Sequence, residues 1–229
     1  MEAYRRHLER DEAEWRRLDA LCRIPISRFF RDRAVFEALG ATVLPGLATG
    51  AAARGAERLR AWSAGCASGE EVYSLRLVWD FAVQAEFPEI GLDILGTDAD
   101  PVMLSRARAA CYPGGSLKEL PPAWREAAFA RTDGAFRLRP AFRHGITLRL
   151  QDIRRRRPAG PFDLILCRNL AFTYFAAPLQ ARLLRAIRAR LRPGGALVIG
   201  GHEDLPGDGG FAPLAPGLPI YRRIAGREK

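Results

Sequence analysis

The spacing of hydrophobic positions changes near residue 59, from a helical pattern to an alternation of strands and helices. Before that point, residues 3–21 carry apolar side chains every three to four positions, which predicts one helix. Apolar residues at 29–39 predict a second, short helix. Residues 46–57 are mostly small, so we expect a linker or frayed helix that contributes little to a core.

After residue 59, short apolar runs alternate with amphipathic stretches. The runs predict strands at 59–64, 92–96, 145–150, 162–167, 196–200 and 218–224. Between them, the pattern predicts helices at 70–85, 101–110, 121–130 and 178–191. Strands separated by helices of ten to fifteen residues are typical of an α/β fold with a mostly parallel, doubly wound sheet.

One stretch departs from this alternation. Residues 135–138 and 145–150 both have strand character, with Pro140 between them, and we predict a small β-hairpin insertion joined at 140–144 that leads into a core strand. We therefore divide the chain into a short N-terminal helical segment, 1–45, and an α/β domain, 46–229.

Length and composition are those of a globular protein. The chain has 229 residues, of which 48% are hydrophobic and 27% charged, values that exclude wholesale disorder. No apolar run approaches the ~18 residues that cross a bilayer, and the charged N-terminus does not resemble a signal peptide, so we expect no membrane insertion and a cytoplasmic protein. The four cysteines are too far apart for metal-ligand spacing, so we expect no metal site.

Charge is distributed unevenly. The net charge of +10 invites a nucleic-acid hypothesis, but residues 61–110 sum to −5 and residues 111–160 to +7. Of the 36 basic residues only Lys118 and Lys229 are lysines, which indicates a compositional bias toward arginine. We expect a functional site at which an acidic segment meets a basic one, and no specific nucleic-acid partner.

Candidate chemistry lies where the first two predicted strands end. The first strand runs into Gly65–Gly69, whose glycines let backbone approach a ligand, and Glu70 and Glu71 follow in the first helical turn. Two carboxylates there would repel a pyrophosphate and suit a cation. Asp98 ends the second strand, where an acid commonly accepts hydrogen bonds from a ribose diol. Sulfonium and ribose together indicate S-adenosylmethionine better than NAD, and a purely structural glycine turn with a capping acid stays an alternative.

Five motifs occur in one order between residues 24 and 224. They are SRFFRD at 27–32, WSAGCASGEEVYSL at 62–75, LGTDAD at 95–100, FDLILCRN at 162–169, and LRPGG at 191–195 followed by GGHE at 200–203. Together they closely resemble the motifs of the CheR-type methyltransferases, which esterify glutamates of bacterial chemoreceptors with S-adenosylmethionine. The resemblance implies a Rossmann-like, class I methyltransferase fold, here with a shortened N-terminal domain.

The resemblance also implies functional residues. It assigns cofactor contacts, with product S-adenosylhomocysteine, to Ser27, Arg31, Glu70, Glu71, Asp98, Asp152, Ile153, Arg168 and Asn169. It assigns catalytic roles to Arg31, Tyr174 and Arg168. The implied partner is a protein substrate, such as the cytoplasmic region of a chemoreceptor.

Alternatives remain open at several of these positions. Arg31 could instead pair with Asp32 or Glu37 on the surface. The segment after Asn169 is one residue longer than in the family, so either Tyr174 or Thr173 could face the site. A same-fold enzyme with a small-molecule or RNA acceptor, and a regulatory module that binds cofactor without turnover, are the alternative functions.

Overall fold

The computed structural model describes residues 2–8, 10–11, 13–14, 27–207 and 210–224. Its strands are β1 (Arg58–Ala64), β2 (Gly91–Asp98), β3 (Cys111–Tyr112), β4 (Phe129–Thr132), β5 (Ala135–Leu138), β6 (Ile146–Leu150), β7 (Phe162–Leu166), β8 (Leu191–Val198), β9 (Phe211–Pro213) and β10 (Ile220–Arg223). The described helices are α1 (Glu2–Leu8), α2 (Arg33–Ala53), α3 (Glu70–Val78, continued over Trp79–Val83), α4 (Pro101–Ala109), α5 (Pro122–Ala128), α6 (Ala171–Tyr174) and α7 (Ala177–Arg190).

A seven-stranded sheet organises the fold, with strand order β6-β2-β1-β7-β8-β10-β9. The first five strands in that order are parallel to one another, and β10 pairs antiparallel with both β8 and β9. The chain moves outward from β1 to β2 and β6, then returns to the other side of β1 for β7 and β8. Strand order therefore reverses between β1 and β7, and ligands of such sheets bind beyond the carboxyl ends of the strands at this point.

Both faces of the sheet are covered, as the predicted doubly wound α/β architecture requires. Alternate residues of each strand point to opposite faces, and they fall into two separate cores. Leu59, Ile94 and Leu164 pack with α2, α3 and the small second sheet. Trp62 and Ile165 pack on the opposite face with the apolar side of α7. The predicted Rossmann-like, class I fold is confirmed.

The predicted hairpin is wrong in its pairing. Residues 135–138 pair instead with β4 and β3 in a separate three-stranded antiparallel sheet of order β3-β5-β4. The tight turn is Asp133-Gly134, an Asp-Gly pair of the kind that favours two-residue hairpins, with Gly134 at φ +70°. β6 joins the main sheet parallel to β2, because Ile146 and Leu148 complete the larger core there.

The prediction of a weakly packed segment at 46–57 is also wrong. α2 runs without a break from Arg33 to Ala53 and so passes through the expected boundary after residue 45. Its small residues allow close packing: Ala48 and Ala51 are fully buried. By length and composition alone this 21-residue helix could cross a membrane, contrary to our expectation of no such run. Part of its apolar surface packs in the core that contains Leu59 and Leu164.

The predicted N-terminal helix is confirmed only over its first turns. α1 ends at Leu8, and Arg10 and Asp11 form a turn, so one continuous helix over 3–21 is wrong at that point. The Asp11 carboxylate accepts hydrogen bonds from the backbone N–H groups of Ala13 and Glu14, which begins a new helical turn. Residues 15–26 of the predicted helix and its connection lie outside the described residues.

Candidate functional site

The carboxyl ends of the parallel strands bring together most of the residues expected in the site. Five parallel strands end at this edge of the sheet, and four of them end in or are followed by a residue singled out from sequence. These residues are Asp152 after β6, Asp98 at the end of β2, Gly65 after β1, and Arg168 and Asn169 after β7. Residues more than a hundred positions apart in the chain thus form one cluster.

The loop between β1 and α3 is held by backbone hydrogen bonds to β2. The N–H groups of Gly65 and Cys66 both donate to the Thr97 carbonyl, at 2.8 and 3.0 Å. Gly65 has φ +79°, and a Cβ there would lie 2.6 Å from Leu170 Cδ2. A side chain at Gly65 would therefore strain the backbone and displace Leu170.

Asp98 completes this loop and faces the space beyond the sheet. Its Oδ2 accepts from the Ala67 N–H at 2.8 Å and its Oδ1 from the Asp100 N–H at 2.9 Å. Each carboxylate oxygen has a second lone pair, and the side chain is only half-buried. Asp98 can therefore hold the loop and still accept hydrogen bonds from the two hydroxyls of a ribose.

Replacing Asp98 by alanine is expected to weaken cofactor binding by roughly 1–3 kcal/mol, because charge-assisted hydrogen bonds to the ribose are lost. Calorimetry with S-adenosylmethionine and S-adenosylhomocysteine measures this change. Asp93→Ala is the matched control, since Asp93 lies on the same strand and pairs with Arg58, far from the carboxyl ends of the strands where the site lies. Equal affinities for Asp98→Ala and the control would contradict the ribose assignment.

Arg168 connects three segments of the site from a buried position. Its side chain is 2% exposed. Its Nη2 donates to the Asp32 carboxylate at 2.6 Å and to the Arg31 carbonyl at 2.8 Å, and its Nη1 donates to Glu71 Oε2 at 3.2 Å. The guanidinium also lies 5.3 Å from the centre of the Phe36 ring, a cation–π contact. These contacts tie the segment after β7 to α3 and to the turn before α2.

Arg31 lies on that turn and points toward Asn169. Its Nη2 donates to Asn169 Oδ1 at 3.2 Å, and its side chain is half-buried. Both surface partners considered for it have other contacts, because Asp32 pairs with Arg168 and Glu37 with Arg33. The structure thus brings the Arg31 guanidinium to the strand-end cluster.

The turn that carries Arg31 has an unusual backbone. Phe30 and Asp32 both have positive φ, at 55° and 61°. For residues other than glycine this conformation costs about 1–3 kcal/mol and is found most often at functional sites. The Phe30 N–H donates to Ser74 Oγ of α3, and the Phe29 ring is fully buried, which holds the turn in place.

Glu70 and Glu71 have different surroundings although they are adjacent. Glu70 is 2% exposed and accepts hydrogen bonds from Ser68 Oγ. Glu71 accepts from Ser63 Oγ at 2.7 Å and from Arg168. Burial raises the pKa of Glu71 above its ordinary value, and Arg168 and Ser63 oppose that rise. Both carboxylates therefore hold the loop and strand ends together, and their cofactor contacts remain predictions.

The segment after β6 carries the Asp152 carboxylate and, next to it in the chain, the Gln151 amide. Asp152 is bound by the backbone N–H and the guanidinium of Arg154. Burial alone would raise the pKa of Asp152, but the Arg154 hydrogen bonds lower it below its ordinary value. Ile153 is buried in the second core beside Ile165.

Next to Asp152, a buried amide is unpaired among the described side chains. Gln151 Nε2 is buried and has no hydrogen-bond partner there. A buried donor without a partner is costly. Solvent does not reach this amide, so the fit to the ribose of an adenosine group rests on Asp98 and the Gly65 loop.

Two predicted residues lie at the margin of the cluster. Tyr174 is 74% exposed on α6, so its catalytic role stays a prediction. Of the two alternatives at this segment, Thr173 has the inward contact, because its Oγ1 donates to Glu203 Oε1 at 2.6 Å. Ser27 is half-buried at the start of the segment 27–207, and its role also stays a prediction.

Two acidic residues make more contacts within the site than the sequence indicates. Asp32 was considered only as a surface partner of Arg31, and it pairs with Arg168. The sequence motifs assign no role to Glu203, yet it is buried and binds the segment after β7. The signal for both was present, since Asp32 ends the SRFFRD motif and Glu203 ends the GGHE motif.

The cysteines of the site are not nucleophiles. Burial raises the pKa of the Cys167 thiol to about 12, and it raises the pKa of the Cys66 thiol well above its ordinary value. Both thiols are therefore protonated at neutral pH and lack the thiolate that covalent catalysis requires. The remaining chemistry of the site is binding and orientation by arginines, carboxylates and backbone.

Fold and site together define a class I methyltransferase that uses S-adenosylmethionine. Residues 26–214 match the model of the CheR methyltransferase S-adenosylmethionine-binding domain. The chain belongs to the CheR methyltransferase family. A relative from Listeria monocytogenes named chemotaxis protein methyltransferase is 36% identical, over 91% of this chain and 77% of its own length. Chemotaxis protein methyltransferase 1 of Pseudomonas aeruginosa is 35% identical, over 85% of this chain and 72% of its own length.

Proposed function

We propose that this methyltransferase esterifies glutamate side chains of a protein substrate in the cytoplasm, with the cytoplasmic region of a chemoreceptor as its partner. The observation that carries the proposal is the Arg31 guanidinium, held by Asn169 at the strand ends beside the cofactor loop. A fixed cation at this place suits an anionic acceptor. The names of the relatives support a role in chemotaxis.

The chemistry of a carboxylate acceptor agrees with the residues present. A glutamate side chain has an ordinary pKa near 4.3 and is ionised at neutral pH, so no general base is needed. When bound, S-adenosylmethionine supplies an electrophilic methyl group on a sulfonium and leaves as S-adenosylhomocysteine. The glutamate oxygen forms the new bond to the methyl carbon as the carbon–sulfur bond breaks, and no proton moves.

The work left to the protein is orientation. An in-line displacement depends on holding the acceptor oxygen in line with the sulfur–methyl bond. The planar guanidinium of Arg31 can donate two parallel hydrogen bonds to a carboxylate, which sets both its position and its plane. Asn169 holds Arg31 from one side, while the Arg168 network holds the turn that carries it.

Transfer of a tritiated methyl group to a bacterial lysate, followed by mild base, tests this function. We expect the purified protein to label proteins, and base to release the label as methanol, because carboxyl methyl esters are base-labile whereas methyl groups on nitrogen are not. Boiled protein is the control for non-enzymatic labelling. Label that resists base would contradict a carboxylate acceptor, and binding of cofactor without any label would favour the regulatory module.

A further inference from the structure

Glu203 has an unusual environment for a carboxylate. It is 5% exposed, and its four described hydrogen bonds come from neutral donors. Oε2 accepts from the N–H groups of Asn169 at 2.8 Å and Gly200 at 2.6 Å, and Oε1 accepts from the Leu170 N–H at 3.0 Å and from Thr173 Oγ1 at 2.6 Å. A buried charge is expensive, and four donors are what make it tolerable here.

These donors come from two neighbouring strand ends. Gly200 and Glu203 follow β8, whereas Asn169 and Leu170 follow β7 and begin α6. Glu203 therefore fastens the segment after β7 to the segment after β8. The close approach depends on Gly200, because a Cβ at that residue would lie 2.8 Å from Glu203 Oε2 and 2.9 Å from Asn169 Oδ1.

Asn169 leads from Glu203 to the proposed acceptor site. Its backbone is in the left-handed region, at φ 52°, and its N–H is bound to Glu203. In that conformation its side chain reaches Arg31, whose Nη2 donates to Asn169 Oδ1. Without the bond from Glu203, Asn169 would lose the contact that holds this strained backbone, and Arg31 would lose a defined partner.

We infer that Glu203 is a positioning residue: through Asn169, it fixes the guanidinium of Arg31 at the acceptor side of the site. This inference rests on the proposed function, because that function makes the Arg31 side of the site the place where the acceptor carboxylate binds. We expect cofactor binding to depend on Glu203 less than kcat does, because the Gly65 loop and Asp98 are held by separate hydrogen bonds across β1 and β2. Only the cofactor contacts that the resemblance assigns to Arg31 and Asn169 depend on Glu203.

Two replacements of Glu203 should give graded effects. Glutamine keeps one oxygen, which can still accept from Asn169 and Gly200, but its amide nitrogen would face the Leu170 N–H; alanine keeps no acceptor. We expect kcat to fall about tenfold to a hundredfold in Glu203→Ala and less in Glu203→Gln, with the Kd for S-adenosylmethionine rising by a much smaller factor than kcat falls. Calorimetry and the tritium assay give the two quantities.

Asp163→Asn is the matched control for lost stability. Asp163 is a carboxylate of similar burial, 3% exposed, which pairs with Arg54 and Arg192 and binds the Arg60 N–H at the start of β1. We expect this variant to lower the melting temperature but to leave kcat of the folded protein unchanged within about twofold. If Asp163→Asn lowers kcat as much as Glu203→Ala does, or if Glu203→Ala lowers the affinity for S-adenosylmethionine by as large a factor as it lowers kcat, the positioning role is wrong.

A readout without turnover separates this inference from the proposed function. The side-chain Nε–Hε signal of Arg31 in an NMR spectrum can be assigned by its loss in Arg31→Ala. We expect that signal to shift or broaden in Glu203→Ala and to stay in place in Asp163→Asn. A shift in a protein that esterifies nothing would retain the inference and reject the function; an unmoved signal in Glu203→Ala would reject the inference.

Discussion

Replacing Arg168 by methionine is expected to lower the free energy of unfolding by about 3–5 kcal/mol, because the change leaves a buried carboxylate without its cation. Methionine fills much of the same volume, so the loss reports the ion pairs to Glu71 and Asp32 more than a cavity. Denaturant unfolding at pH 7 measures the difference. A loss below about 1 kcal/mol would show that the network contributes little to folding.

The matched control for this change lies on the surface. Arg58 makes a two-bond pair with Asp93, but both side chains are about half exposed. We expect Arg58→Met to cost about 1 kcal/mol or less, because solvent screens an exposed pair and hydrates the partner that is left. The contrast between the two arginines isolates the effect of burial.

The Arg168→Met deficit should also depend on pH. The pKa of Glu71 is raised in the folded protein, chiefly by burial, and removing Arg168 takes away the main opposing influence. A carboxyl with a raised folded pKa binds its proton more tightly when folded, so stability increases as pH falls through that pKa. We expect the deficit to shrink between pH 7 and pH 5; a constant deficit would contradict a buried, charged Glu71.

Replacing Arg31 by alanine is expected to reduce kcat about a hundredfold or more while leaving folding nearly intact. The Arg31 carbonyl, which accepts from Arg168, is retained in the variant, and the lost side chain is half-buried outside the two cores. The proposed acceptor carboxylate, by contrast, loses the fork that orients it. The tritium assay at saturating cofactor measures kcat, and thermal unfolding measures stability.

Arg33→Ala serves as the control for Arg31. Arg33 lies two residues further along, is exposed and pairs with Glu37 on the surface of α2. We expect it to change kcat by less than about twofold and stability by less than about 0.5 kcal/mol. If Arg31→Ala melts far below the wild type, the role of Arg31 is structural. If it turns over at the rate of Arg33→Ala, Arg31 is dispensable for catalysis. Either result would contradict the catalytic assignment.

The sequence by itself determined the central architecture of this protein. Apolar runs such as 162–166 indicate strands covered on both faces, and the intervening helical stretches require crossovers, so the parallel sheet followed from local pattern. The position of Asp98 at the end of a strand was predictable because it is a local property. The motifs indicated the protein family from local sequence in the same way, since each motif is a contiguous stretch of chain.

Pairing that depends on distant residues could be decided only by the tertiary structure. The Asp133-Gly134 turn is a local feature that favours pairing of 135–138 with β4, but no local feature selects the pairing of the same strand with β3. Residues 46–57 looked like a linker because small side chains bury little area, yet Ala48 and Ala51 are fully buried where the helix lies close to its neighbours.

Only the tertiary structure decided which charged residues pair with one another. Arg168 meets Glu71 and Asp32 across separations of 97 and 136 residues, and Glu203 meets Asn169 across 34. A charge in a sequence fixes no partner, because the Coulomb attraction acts only once folding has placed two groups within a few ångströms in a medium of low dielectric. Sequence therefore indicated which residues could do chemistry here, and the side-by-side, parallel arrangement of β1, β7 and β8 decided which of them hold the others in place.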